Sequence, residues 1–166
     1  METFFICPHC GNAHEGYPTD YGWTLPDEVW ALSKRERKSK TSYNADLCRY
    51  GKRYFIRGVL SLPFKDQPGE FGWGIWVEVD GPIFQKYLDL YEKDALDEPR
   101  ITGYLANQPP GYEDLLHHQI EIQFGISTQR PTLWFSQDST QAMAMEQRFG
   151  IDHVRYHEIL KAIGGS

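Results

Sequence analysis

Apolar and polar positions alternate in two long runs near the middle of the chain, and such a period of two predicts strands. Over residues 53–62, Tyr54, Ile56, Leu60 and Leu62 share one face, and Phe55, Arg57 and Val59 share the other. Over 71–80, Phe71, Trp73, Ile75, Val77 and Val79 point one way, and Gly72, Gly74, Trp76 and Glu78 point the other. The eight residues between, Pro-Phe-Lys-Asp-Gln-Pro-Gly-Glu, are rich in turn formers, so the two runs read as a hairpin with a long loop. Strand-like runs recur at 101–107, 115–124 and 131–136. In the second of these, Leu116, His118, Ile120, Ile122 and Phe124 alternate with His117, Gln119, Glu121 and Gln123.

Helical spacing predicts four helices. Thr24-Leu25-Pro26-Asp27-Glu28 reads as a helix start, with proline in the first turn and acids at the positive dipole end. That helix is expected to run through Trp30 and Leu32 and fade in the basic stretch 34–40, a solvated end. Phe84, Tyr87, Leu88 and Tyr91 form one apolar stripe on a helix over 82–92. Two more helices, 140–149 and 152–163, break at Gly150, and the last buries Tyr156, Ile159, Leu160 and Ile163. Sequential strands usually neighbour one another, so the expected fold is α+β: an antiparallel sheet of about five strands with helices on one face. An N-terminal knuckle, residues 1–23, packs at its edge, and 24–166 form the body of one domain.

Composition narrows the function class. The 166 residues suit one domain, which buries about 70% of its surface on folding and needs no staple for its core. Lys and Arg number 17 against 23 Asp and Glu, a net charge of −6, which repels a phosphate backbone and argues against general nucleic-acid binding. No run is long and apolar enough to span a membrane, and the opening residues lack a basic segment of a signal peptide. The expectation is a soluble, cytoplasmic protein.

Cys7-Pro8-His9-Cys10-Gly11-Asn12-Ala13-His14 carries the clearest chemistry. Two thiolates separated by two residues form a knuckle that grips zinc, and structural zinc takes four ligands in a tetrahedron. His14 and the remaining cysteine, Cys48, complete a Cys7, Cys10, His14, Cys48 set, with His9 the runner-up histidine. A closed set makes the zinc structural rather than catalytic. Three other readings compete: a disulfide, disfavoured by three cysteines in an intracellular chain; a redox pair, opposed by the poor helix formers Gly11-Asn12; and a knuckle holding no metal.

The knuckle, Asp46-Leu47-Cys48, Phe55-Ile56-Arg57-Gly58-Val59-Leu60 and Gly72-Trp73-Gly74-Ile75-Trp76-Val77 occur in an order that resembles the bacterial family called domain of unknown function 2199. Gly103-Tyr104-Leu105-Ala106-Asn107, Pro110-Gly111-Tyr112 and Glu146-Gln147-Arg148 with Gly150-Ile151 extend the resemblance over nearly the whole chain. Many members carry an Asp-His-Pro triplet before the Glu-Gln-Arg segment. Thr140-Gln141-Ala142 stands there instead, so no role for that histidine carries over. The resemblance implies a single bacterial domain and assigns no activity.

Two function classes follow. Arg57, Trp76, Tyr104, Asn107 and Tyr112 are the candidate surface of a non-enzymatic module that binds a protein partner. An immunity-type inhibitor is one form, since negative charge speeds capture of a basic toxin. The alternative is a hydrolase-like enzyme built around Tyr104, Asn107 and Tyr112 with an acid such as Glu113. Competing with the surface are ordinary structural roles. Trp76 is then core, Gly72 and Gly74 admit a helix, and Arg57 pairs with Glu78 across the hairpin. His153 and His157, four apart on the last helix, lack a third ligand nearby in sequence and read as a polar helix flank. His117 and His118 face opposite ways on a strand.

Overall fold

The computed structural model describes residues 19–95, 97–127 and 129–164. Its elements in chain order are β1 (Asp20–Gly22), α1 (Asp27–Trp30), α2 (Lys34–Lys40), β2 (Thr41–Tyr43), β3 (Leu47–Tyr50), β4 (Arg53–Pro63) and β5 (Glu70–Val79). Then come α3 (Gly81–Leu90), β6 (Ile101–Leu105), β7 (Gln119–Gln123), β8 (Thr132–Trp134), α4 (Ala142–Phe149) and α5 (His153–Ile163).

The expected hairpin is the spine. β4 and β5 pair antiparallel in ten register positions, from Tyr54 opposite Val79 to Pro63 opposite Glu70. The sheet does not stay open, however. The order β4-β5-β6-β7-β8 returns to β4, closing a five-stranded barrel. The closing pair, Val59 with Thr132, is parallel, as is β1 on β5, so the sheet is mixed rather than antiparallel. Closure rests on a close approach at Gly58, where a Cβ would lie 2.7 Å from the Leu133 side chain. β2 and β3 extend the sheet beyond β4, and β1 extends it beyond β5.

Each strand of the spine therefore changes partner along its outer edge. β4 holds β3 through residues 53–56 and β8 at Val59, and β5 holds β1 through 72–74 and β6 at 77–78. The helices pack at the two ends of β4. On α3, Phe84 packs on Tyr54 at the start of β4, while on α5 Tyr156 packs on Phe64 just beyond its end.

Two cores result. Inside the barrel, Ile56, Leu60, Leu62, Phe71, Trp73, Ile75, Val77, Ile120, Ile122 and Leu133 are buried together. On the outside, Phe55 and Trp76 join Leu25, Val29, Cys48 and Ala106 in a smaller cluster. That second core explains how an outward-facing tryptophan is fully buried.

Several boundaries shift for local reasons. The single helix expected from residue 24 is two helices, because Ser33 restarts the chain: its hydroxyl accepts from Glu36 N at 3.1 Å and donates to the Glu36 carboxylate at 3.3 Å, a capping box. Arg37 then reaches back to cap the carbonyls of Val29, Trp30 and Leu32 at 3.2, 2.7 and 2.9 Å. The strand expected from residue 115 begins at Gln119. Asp114 and His117 adopt positive φ of 52° and 71°, and the Gln108 side chain accepts from Leu115 N and Leu116 N at 3.0 and 2.9 Å. The His117–His118 alternation therefore falls in a turn.

Candidate functional site

The five residues read from the sequence as a binding surface do not form one. Trp76 is fully buried, and its indole donates to the Trp23 carbonyl at 2.9 Å. Asn107 is also fully buried and acts as a three-way clamp. Its Oδ1 accepts from Trp76 N at 2.8 Å, and its Nδ2 donates to Leu25 O at 3.0 Å and to Asp27 Oδ1 at 2.9 Å. Such an amide ties β5, the loop after β6 and the segment before α1 together.

Tyr112 lies in a different cluster. Its hydroxyl donates to Glu146, which also takes the Arg155 guanidinium, and Arg155 stacks 5.1 Å from the Tyr112 ring. Burial, then the neighbouring Glu146 charge, push the Tyr112 phenol well above its ordinary value, so it remains a neutral donor. The rest of the Glu-Gln-Arg segment is also structural. Gln147 accepts from Phe135 N at 3.0 Å and donates to Leu133 O at 2.9 Å, and Arg148 caps the carbonyls of Gln137 and Ser139.

The expected Arg57–Glu78 pair is replaced. Register sets Arg57 opposite Trp76 and Glu78 opposite Phe55, so Glu78 instead takes Arg53 at 2.7 and 2.9 Å, with Glu28 as a further partner of Arg53. Glycines 72 and 74 admit no helix: Gly74 faces the Gly22 backbone of β1, and Gly72 faces Val59. On α5, His153 lies against Asp66, its Nε2 3.4 Å from the carboxylate.

Tyr104 is exposed and belongs to an outer barrel face that the sequence did not single out. Outward positions on β6, β7 and β8 are Thr102 and Tyr104, Gln119, Glu121 and Gln123, and Thr132 and Trp134. Tyr104 stands opposite Gln119 and Trp134 opposite Glu121, which places their Cα atoms about 12 Å apart across β7. Both large aromatics face solvent, Tyr104 at 48% and Trp134 at 37% exposure. Arg100 stacks on the Trp134 ring at 4.9 Å and reaches Glu121 at 3.3 Å. Exposed alternation on three strands was the available signal, but the pairing of β7 with both β6 and β8 was needed to put Trp134 on the same face as Tyr104.

Arg57 lies where the outer edge of β4 changes from β3 to β8. Asp46 and Arg130 flank that split, joined by an ion pair at 2.8 Å, and Tyr91 donates to Asp46 at 2.7 Å. Burial alone would raise the Asp46 carboxyl. Hydrogen bonds from Tyr91 and Arg130, with the charges of Arg130 and Arg57, outweigh burial and hold it below the ordinary carboxylate value. A cleft of about 620 Å³ opens here, lined by Asp46, Val59, Tyr87, Tyr91, Phe124 and Arg130 among others.

Of the predicted metal ligands, Cys48 sits on β3 in the outer core, buried beside Phe55 and Trp76. Cys7, Cys10 and His14 lie outside the described residues, as does His9. Burial pushes the Cys48 thiol up to about 11. That opposes ionisation by about 3 kcal/mol, a small term beside the roughly 10–16 kcal/mol of zinc binding in metal-folded peptides. The apolar surroundings of Cys48 are thus compatible with a thiolate only when a cation is bound to it. Leu25, in the same cluster, lies eleven residues beyond His14, a span of chain that can reach about 36 Å.

The chain belongs to the DUF2199 family, described as an uncharacterized protein conserved in bacteria, which matches residues 6–151. No curated protein and no solved structure matches it. Among the described residues no helix is long and apolar enough to cross a membrane.

Proposed function

We propose that this member of the DUF2199 family is a non-enzymatic, cytoplasmic protein-binding module that docks its partner on the outer face of β6, β7 and β8. The observation that carries this reading is the pair of exposed aromatics, Tyr104 and Trp134, on a rigid barrel face with Arg100 stacked on the indole. Tyrosine, tryptophan and arginine are the side chains that most often carry interface energy, because they bury large area at little entropic cost. Strands of a closed barrel hold them in place without ordering on binding. An immunity-type inhibitor is one form of such a module, and the net charge of −6 would speed its capture of a basic toxin. The hydrolase-like alternative has less support: Asn107 is committed to backbone groups, and Tyr104 and Tyr112 belong to separate clusters.

The test is affinity capture from the native cell with the purified chain, followed by titration of the captured protein. Tyr104→Ala with Trp134→Ala is expected to weaken binding at least about a hundredfold, two hot-spot losses of at least ~1.4 kcal/mol each. Trp30→Ala, which removes a more exposed indole elsewhere, is expected to leave binding unchanged. Equal affinity for the double variant and the wild type would rule out this face.

A structural zinc ion on Cys7, Cys10, His14 and Cys48 belongs to the same proposal. One equivalent per chain is expected from elemental analysis of protein purified without chelator. Cys48→Ser is expected to lose the metal and lower the melting temperature, since oxygen is a poorer zinc ligand than thiolate. His153→Ala is expected to leave metal content unchanged. A full equivalent of zinc in Cys48→Ser would make Cys48 a core thiol and move the fourth ligand to His9.

A further inference from the structure

The net charge of −6 conceals a division within the chain. Residues 34–53 carry eight Lys and Arg against two acids, a local charge of +6, and the other 146 residues carry nine against 21, or −12. Both acids of the basic segment are already neutralised, Glu36 by Lys40 at 3.3 Å and Asp46 by Arg130 at 2.8 Å. Arg53 is held by Glu28 and Glu78. Arg37 is held by the carbonyls of Val29, Trp30 and Leu32, so no carboxylate offsets its charge. Lys34, Arg35, Lys38, Arg49 and Lys52 are all exposed, and none forms an ion pair among the described residues.

The fold gathers these cations at one end of the sheet. β2 is the last strand in the order, after β4 and β3, and α2 leads straight into it. A cleft of about 610 Å³ opens between α2 and β2, lined by Lys34, Arg37, Lys38, Thr41, Ser42 and Tyr43; no acid among the described residues lines it. Lys34 and Lys38 are one helical turn apart and stand on one face of α2. Arg49 lies opposite Ser42 in register and shares its side of the β2–β3 ribbon, which carries positive charge from the cleft across to β3. Two large aromatics are exposed beside these cations, Tyr43 at 49% in the cleft lining and Trp30 at 61%. The Arg37 guanidinium lies 5.1 Å from the centre of the Trp30 ring. Lysines alone guard the edge of a sheet against stray pairing. Exposed rings beside them would defeat that purpose, and they suit stacking instead.

We propose that the α2–β2 edge binds single-stranded nucleic acid, its phosphates drawn to Lys34, Lys38 and the Arg37 charge and a base stacked on Tyr43. A cationic groove with exposed aromatic rings is how proteins hold single strands without reading their sequence. The acids elsewhere in the chain do not forbid this, because at physiological ionic strength charges are screened beyond about 8 Å. A phosphate in the cleft therefore feels the local cations. A duplex keeps its bases stacked inside, and an acidic polypeptide supplies charge without bases, so neither offers Tyr43 a partner. The surface uses no residue of the β6–β8 face and is independent of the partner proposed there.

The experiment is fluorescence anisotropy of the full chain, over a series of salt concentrations, with a labelled oligouridylate of about 12 nucleotides, a duplex of the same length and polyglutamate. The oligouridylate is expected to bind with a Kd below about 10 μM at about 50 mM salt. Contact with about three phosphates gives a slope of log affinity against log salt near about −2. Lys34→Ala combined with Lys38→Ala is expected to flatten that slope by about 1.4, the share of two phosphate contacts. Tyr43→Ala is expected to weaken binding about tenfold at an unchanged slope, while Tyr43→Phe keeps the ring and binds as the wild type does. Lys161→Ala, at an exposed position on α5, is expected to change nothing. Lys34, Lys38 and Tyr43 are exposed, so all these variants are expected to melt with the wild type, which separates lost binding from lost fold. The proposal is overturned if the oligouridylate does not bind, if the duplex binds as tightly, if the double lysine variant keeps the full slope, or if Tyr43→Ala binds undiminished. Equally tight binding of polyglutamate also overturns it and makes the edge a dock for an acidic protein segment.

Discussion

Trp73→Ala is expected to destabilise the fold by about 3–5 kcal/mol, the range for truncating a buried large aromatic. Trp73 is fully buried at the middle of β5 and packs against four rings: stacked on Trp23 at 5.8 Å and edge-on to Phe71, Tyr21 and Tyr112 at 5.1, 6.0 and 6.0 Å. Its removal opens a cavity between β1, Trp23 just after it and the loop carrying Tyr112. Trp73→Phe is expected to cost much less, because the indole Nε1 makes no hydrogen bond within the described structure and only volume is lost. Lys38→Ala, on the exposed helix α2, is expected to stay within about 0.5 kcal/mol. In urea the alanine variant's midpoint should fall by roughly 2 M. Similar midpoints for Trp73→Ala and Lys38→Ala would mean that the barrel interior is not where β5 places it.

The faces of the two long strands were legible because period-two alternation survives wherever one face is buried. Phe71, Trp73, Ile75, Val77 and Val79 are all buried, as that alternation requires. Closure was not legible, since the parallel contact that seals the barrel is one register position, Val59 with Thr132, between segments seventy-three residues apart. A pattern within a strand says which face is apolar but not which strand lies alongside. The same gap explains the misplaced surface. Trp76 and Asn107 look alike in sequence whether they line a pocket or seal a second core, and only the return of residues 23–29 over them decides it. The Arg57–Glu78 expectation had the correct face and the wrong register: Arg57 plus Trp76 and Phe55 plus Glu78 are the pairs that this hairpin makes. Ser33-Lys34-Arg35-Glu36, by contrast, was a readable capping box, and it would have divided the first helix from sequence alone.

Asn107 carries the other large effect. Asn107→Leu is expected to cost about 3–5 kcal/mol, because it leaves the Trp76 N–H and the Leu25 carbonyl buried without partners, each a penalty of about 1–3 kcal/mol. Asp27 loses one donor but keeps the backbone N–H of Gln108 at 2.8 Å. Asn107→Asp is the sharper probe, because it preserves size and one acceptor oxygen while removing the donor. An ionised carboxylate there would face the Leu25 carbonyl and the Asp27 carboxylate, acceptors against acceptors in a fully buried position. Burial and the neighbouring charge both raise the folded-state pKa of the new group above its unfolded value of about 3.9. The folded variant thus binds the proton more tightly than the unfolded chain does. Its penalty is smallest below the unfolded pKa, where the protonated acid can donate as the amide did, and grows as pH rises through the folded pKa. Thermal melts of the variant and the wild type at about pH 4 and about pH 7 measure the effect. The gap in melting temperature should be distinctly narrower at the lower pH. A gap that is constant or wider at pH 4, or an Asn107→Leu variant as stable as the wild type, would show that the Asn107 amide does not hold the segment before α1 against β5.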